Sequence, residues 1–123
     1  MKKLIFITMT IIAIMTTSCS KTEDFSDPKN LVGTTWRCSN FTNADEANTY
    51  DYYELNFVST TQVEEWDKKK NANATKEEAY SYSINGNAIT LSIDAASFKS
   101  VGTIDKKTMS FTANGNTFVF TKQ

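Results

Sequence analysis

An all-β fold, an antiparallel up-and-down meander of about eight short strands closing into a barrel, follows from three features of the chain beyond Leu31. Nearly every segment there alternates with a period of two, and it does so in Thr, Tyr, Phe, Ile and Val rather than in helix formers. The connections between these segments are brief, and two of them carry Asn-Gly, the strongest short hairpin signal. The registers implied by the tight turns agree on one apolar face.

The elements follow in chain order. Residues 1–18 join two lysines to an apolar run from Leu4 to Met15 and close on Thr16-Thr17-Ser18 before Cys19. This is the layout of a secretory signal peptide, with an apolar centre too short to span a bilayer. The segment resembles a bacterial lipoprotein signal, in which the cysteine after the cut receives a diacylglyceryl group on sulfur and an acyl group on its new amine. The resemblance implies lipidation of Cys19 and a partner membrane reached through acyl chains, each buried methylene contributing about 0.8 kcal/mol. The alternative is an ordinary secreted protein in which Cys19 stays a thiol. Residues 19–30 are polar and acidic, hold the single proline of the chain, and read as a flexible tether. A lysine and acids close behind the cysteine also resemble the signal that sends some Bacteroidota lipoproteins to the outside of the outer membrane. The bacterial outer membrane is therefore the expected location, on its periplasmic or its surface face.

The barrel domain is expected over 31–123. Its strands are read at Thr34 to Asn40, Tyr50 to Val58, Gln62 to Trp66, Ala79 to Ile84, Ala88 to Ile93, Ser100 to Ile104, Thr108 to Ala113 and Thr117 to Lys122. A two-residue loop at Asn85-Gly86 would set Ile84 opposite Asn87, Tyr82 opposite Ile89 and Tyr80 opposite Leu91. One at Asn114-Gly115 sets Ala113 opposite Asn116, Phe111 opposite Phe118 and Met109 opposite Phe120. A loop at Lys106-Lys107 sets Ile104 across from Met109 and Gly102 across from Phe111. In all three cases the large apolar residues share one face, while Ser81, Ser83, Thr90, Ser92, Ser110 and Thr112 take the other. The stretch from Asp67 to Glu78 reads as a long exposed loop with a helical turn near Thr75 to Ala79, and Asp94 to Lys99 as a short break that returns Phe98 to the core.

Composition narrows the chemistry. With residues 1–18 removed, 105 residues remain, with eleven basic against fourteen acidic side chains, a formal charge of −3. That is one small domain. Its scattered basic residues give no footprint for nucleic acid, whose backbone requires a clustered positive face. The chain has no histidine and, with Cys19 acylated, only Cys38 as a thiol. The usual zinc sites, general base and thiol-imidazole nucleophile are therefore missing, and no intrachain disulfide forms. Without lipidation a Cys19–Cys38 bridge would be open to the chain. No Gly-x-Ser-x-Gly elbow occurs. The protein is accordingly expected not to be an enzyme and to carry neither cofactor nor metal, with Cys38 a small buried residue beside Trp36.

The opening Leu31-Val32-Gly33-Thr34-Thr35-Trp36, the many meandering strands, the run from Gly102 to Phe111 and the final apolar strand resemble the small lipocalin-like lipoproteins common in Bacteroidota. In lipocalins a glycine, one residue and a tryptophan begin the first strand; here two residues stand between Gly33 and Trp36. The resemblance implies a closed or nearly closed barrel with Trp36 plugging one end, Lys122 in the place of the arginine that covers the tryptophan, and room for a small apolar ligand. A barrel of eight strands is just wide enough to be filled by side chains or to hold one small ligand. The inward set is heavy: Trp36, Tyr53, Leu55, Phe57, Tyr80, Tyr82, Ile84, Ile89, Leu91, Ile93, Ile104, Met109, Phe111, Phe118 and Phe120. A filled interior is the expectation. Two functions stay open, an envelope lipoprotein that binds a small apolar ligand or envelope component, and a structural or protein-interaction lipoprotein with a packed barrel and no ligand.

The candidate ligand-binding residues are Trp36, Tyr53, Glu65, Trp66, Tyr80 and Tyr82. In the run Glu64-Glu65-Trp66-Asp67, strict alternation turns one glutamate inward, where it would hold a ligand amine or act as a base. A bulge would leave both acids in water, which is the plainer reading. Val63 and Trp66 cannot both face inward without such a bulge. The Tyr50, Tyr52 and Tyr53 cluster suggests sugar stacking; alternation puts Tyr50 and Tyr52 on one face and Tyr53 on the other. Lys68, Lys69 and Lys70 lie among acids and read as a solvated loop.

Overall fold

The structure, a computed structural model, describes residues 24–123. The signal segment 1–18 and Cys19 lie outside the described residues. Eight strands, β1 (Thr35–Cys38), β2 (Tyr50–Phe57), β3 (Gln62–Lys69), β4 (Thr75–Asn85), β5 (Ala88–Ile93), β6 (Phe98–Ile104), β7 (Thr108–Ala113) and β8 (Asn116–Lys122), form the fold, with one short helix, α1 (Ala44–Thr49), between β1 and β2. Each strand pairs antiparallel with the next. The pairs Trp36–Lys122 and Arg37–Thr121 join β1 to β8 and close the barrel. Closure gives each strand a neighbour on both sides, so that among the described residues no strand is an edge strand of the kind that invites aggregation. Among the described residues no helix is long and apolar enough to cross a membrane.

The barrel has a floor, where β1 begins, and a mouth, where α1 and the β3–β4 hairpin lie. Inward side chains fill the floor: Leu31, Trp36, Cys38, Phe57, Val63, Ile89 and Met109 are buried completely or nearly so. Each large apolar side chain removed from water here contributes roughly 1.5–3 kcal/mol to folding. Gly33 turns the chain into β1 at φ +86°, and its N–H donates to the Phe57 carbonyl at 2.8 Å. The indole Nε1 of Trp36 donates to Thr34 Oγ1 at 2.8 Å, so the one polar atom of the plug is satisfied inside the floor. Lys122 is the register partner of Trp36 and shares its face, the place the lipocalin resemblance gives to the covering cation.

A cover for Trp36 comes from a segment expected to be a tether. From Asp24 onward that segment is structured: Phe25 is 5% exposed and meets the Trp36 ring edge-on, centroids 5.4 Å apart. The Asp27 side chain caps a 3-10 turn, Pro28–Asn30, by accepting from the Lys29 N–H. One aromatic in a polar stretch is enough to dock it, because the open base of the barrel offers an apolar seat.

The Asn114-Gly115 and Lys106-Lys107 hairpins have the expected registers, with Phe111–Phe118, Met109–Phe120, Ile104–Met109 and Gly102–Phe111 paired. Asn114 and Gly115 both have positive φ, as a type I′ turn requires. The β4–β5 register differs from expectation. Tyr82 pairs with Leu91 and Ile84 with Ile89, so Gly86-Asn87 form the loop. Of these two only Gly86 has positive φ, the mark of glycine opening a II′ turn. Sliding the turn by one residue moves each partner by two, so the buried face is unchanged.

Three further expectations are corrected. The stretch from Asp67 to Glu78 is mostly strand: β3 runs to Lys69 and β4 starts at Thr75, without the expected helical turn, because Asp67 and Lys68 pair with Tyr53 and Tyr52 of β2. Tyr50 shares a face with Tyr53, ring centroids 4.9 Å apart, and Tyr52 lies outside under the Arg37 guanidinium, because the register slips between Tyr50 and Tyr52. Phe98 does not return to the core; it stays 41% exposed at the rim, against the Tyr80 ring.

Candidate functional site

The upper end of the barrel is not filled. A cavity of about 270 Å3, open to solvent, lies inside the mouth and is lined by Tyr53, Leu55, Tyr80, Leu91, Phe98, Phe111, Phe118 and Phe120 as its apolar wall. Its other lining residues are Glu46, Glu65, Asp67, Ser100 and Ala113. The expectation of a side-chain-filled interior therefore holds for the floor and fails for the mouth. The reason lies in the inward positions near the rim, where strand parity puts acids on β3 and the small Ser100 and Ala113 on β6 and β7 instead of bulky apolar residues. The β6–β7 ladder also ends at Gly102–Phe111, so Phe98 to Val101 have no β7 partners in it, and the wall loosens where Ser100 and Ala113 line the cavity.

On β3, Val63 is fully buried and alternation turns Glu65 and Asp67 inward after it. Glu64 and Trp66 take the outer face, the indole N–H donating to Glu64 Oε1 at 3.1 Å and Lys76 pairing with Glu64 Oε2. The irregularity that sequence reasoning placed in β3 lies in its neighbours instead. On β4, Glu65 pairs with Glu78 and Trp66 with Lys76, leaving Glu77 as the extra residue.

The acids and the tyrosines are matched. Tyr80 Oη donates to Glu65 Oε1 at 2.6 Å, and Tyr53 Oη to Glu46 Oε1 at 2.6 Å. Burial, and then the bond to a carboxylate, pushes both phenols above their ordinary range. Glu46 reaches the mouth because Asn43 caps α1, its side chain accepting from the Asp45 and Glu46 N–H groups. Asp67 has no such donor. Its Oδ1 is buried without a hydrogen-bond partner. Burial first, and then the charges of Glu65 and Glu77, push its carboxyl up to about 7 against a weaker opposing pull from Lys69. Burial and the neighbouring carboxylates thus favour the protonated form of Asp67.

Of the six residues expected to bind a ligand, the mouth gathers Tyr53, Glu65 and Tyr80. Trp36 and Tyr82 belong to the floor, Tyr82 donating to the Ser59 carbonyl at 2.8 Å and packing edge-on against Phe57. Trp66 stands on the outer wall. Sequence reasoning missed Glu46 and Asp67. Asn43-x-x-Glu46 has the spacing of a helix capping box and marked α1, while Asp67 follows Glu65 at the two-residue step that keeps a strand face.

Residues 31–120 match the family model of a lipocalin-like domain. The chain belongs to the lipocalin-like domain family. No curated protein and no solved structure matches it. In this lipocalin-like barrel the tryptophan end is packed and the cavity lies at the opposite end.

Proposed function

We propose that this is a lipid-anchored lipoprotein of a bacterial outer membrane, of the kind found in Bacteroidota, that binds a small apolar ligand in its barrel mouth. The single observation carrying this reading is the open cavity. At about 270 Å3 it lies just under the roughly 300–1,000 Å3 of small-molecule sites and suits a small ligand. A purely structural or interaction lipoprotein would be served by a packed barrel, which the floor has and the mouth lacks. Binding rather than catalysis agrees with a chain that has no histidine. Anchoring rests on the N-terminal sequence pattern, with Cys19 as the acylated residue.

Native mass spectrometry of the full-length protein extracted in detergent from its host tests the pocket. A retained small molecule is expected, and its loss from Ser100→Trp and Ala113→Trp, which fill the mouth from its two small positions. An empty wild-type barrel that takes up no apolar dye would reject the reading. The anchor is tested separately: Cys19→Ala should move the protein from the membrane to the soluble fraction.

A further inference from the structure

We propose that the ligand of the mouth is an organic amine in its protonated form, with a small apolar or aromatic body. This rests on the mouth being a binding site and names the chemical class it takes. The walls ask for an apolar body, since eight of the thirteen lining residues are aromatic or leucine. The polar atoms ask for a cation. Three carboxyl groups, Glu46, Glu65 and Asp67, line the cavity, and no Lys or Arg does.

Donors are in short supply there. Both tyrosine hydroxyls that line the mouth are already spent on Glu46 and Glu65. Ser100 is the one hydroxyl left on the wall. Asp67 Oδ1 is a buried acceptor with nothing to accept from, and such an atom costs about 1–3 kcal/mol unless a partner arrives. An ammonium brings up to three N–H donors and one positive charge, which answers both deficits. Tyr53, Tyr80, Phe98 and Phe118 on the same wall offer aromatic rings for cation–π attraction.

The other charges around Asp67 point the same way. Glu65 is on its own strand, Glu77 is on β4, and Lys69 is the one cation that opposes them. A bare metal ion fits less well, because among the described residues no three His, Cys, Asp or Glu side chains converge to hold one. An anionic ligand such as a fatty acid would place its carboxylate among three others.

Three probes of one shape and different charge decide the matter: phenethylamine, phenethyl alcohol and hydrocinnamate. Each is titrated at neutral pH into the full-length protein in detergent, by calorimetry or ligand-observed NMR. Phenethylamine is expected to bind at least about tenfold more tightly than the alcohol, and hydrocinnamate not to bind. In Glu65→Gln/Asp67→Asn the amine should lose that advantage while binding of the alcohol and the circular dichroism spectrum stay as in the wild type. Alcohol or hydrocinnamate binding as tightly as the amine overturns the cationic class and leaves the pocket standing. No binding by any of the three, with Ser100→Trp behaving like wild type, overturns both.

Discussion

Replacing Asp67 by Asn should make the protein more stable at neutral and alkaline pH. Folding carries Asp67 into the mouth with one oxygen buried and unpartnered and with Glu65 and Glu77 nearby, which raises its pKa from 3.8 to about 7. Between those two values the folded state holds a proton that the unfolded state has released. Stability therefore falls as pH rises through this window and levels off above about 7. A rise of about three units corresponds to roughly 4 kcal/mol at most, and partial exposure of the residue brings the expected loss to about 2–3 kcal/mol. Asn is a neutral isostere that donates to Glu65 as the protonated acid does, at every pH. Urea unfolding of both proteins from pH 4 to pH 8.5, followed by tryptophan fluorescence, gives the difference in stability directly. It should be smallest at pH 4, where Asp67 is protonated in the folded state and the unfolded state has only begun to release its proton, and grow to about 2–3 kcal/mol in favour of the variant by pH 8. Depressed carboxyls such as Asp51 and Glu64 impose the opposite slope, but they do so in both proteins and cancel. A difference that does not change with pH, or a variant less stable at pH 8, would refute the argument.

Gly102 faces the Phe111 ring so closely that a Cβ there would lie 2.6 Å from two ring carbons; Gly102→Ala should cost about 1–3 kcal/mol in urea unfolding. Phe25→Ala removes the cover from Trp36 and should cost about 2–4 kcal/mol, and in a Trp66→Phe background it should red-shift the remaining indole emission. Trp66→Phe alone, on the outer wall, should change stability by less than about 1 kcal/mol. Gly115→Ala places a side chain at φ +81° and should destabilise the β7–β8 hairpin by about 1 kcal/mol or more, read as a lower urea midpoint.

The barrel was legible because a strand reports its faces in every second residue, and because Asn114-Gly115 allows little choice of turn. Asn85-Gly86-Asn87 allowed two turns, and local chemistry alone does not choose between a loop at its first pair and one at its second. The mouth was harder to read. Asp67 and Lys68 have the composition of a solvated loop, and only pairing with β2 makes them strand, a tertiary effect that overrides propensity. Tyr50 and Tyr52 part to opposite faces because of one slipped residue at Asp51, which no alternation pattern announces. Glu46 entered the site from a six-residue helix too short to show an amphipathic period.

The docking of Phe25 sets the standing posture of the molecule. With Cys19 acylated as proposed, only Ser20 to Glu23 separate the fatty chains from Asp24, where the chain is already fixed to the underside of the barrel. Five peptide steps reach at most about 18 Å. So short a leash would keep the tryptophan-sealed base beside the bilayer and point the acidic opening outward, where it would sample solutes from the aqueous compartment rather than lipids from the membrane beneath.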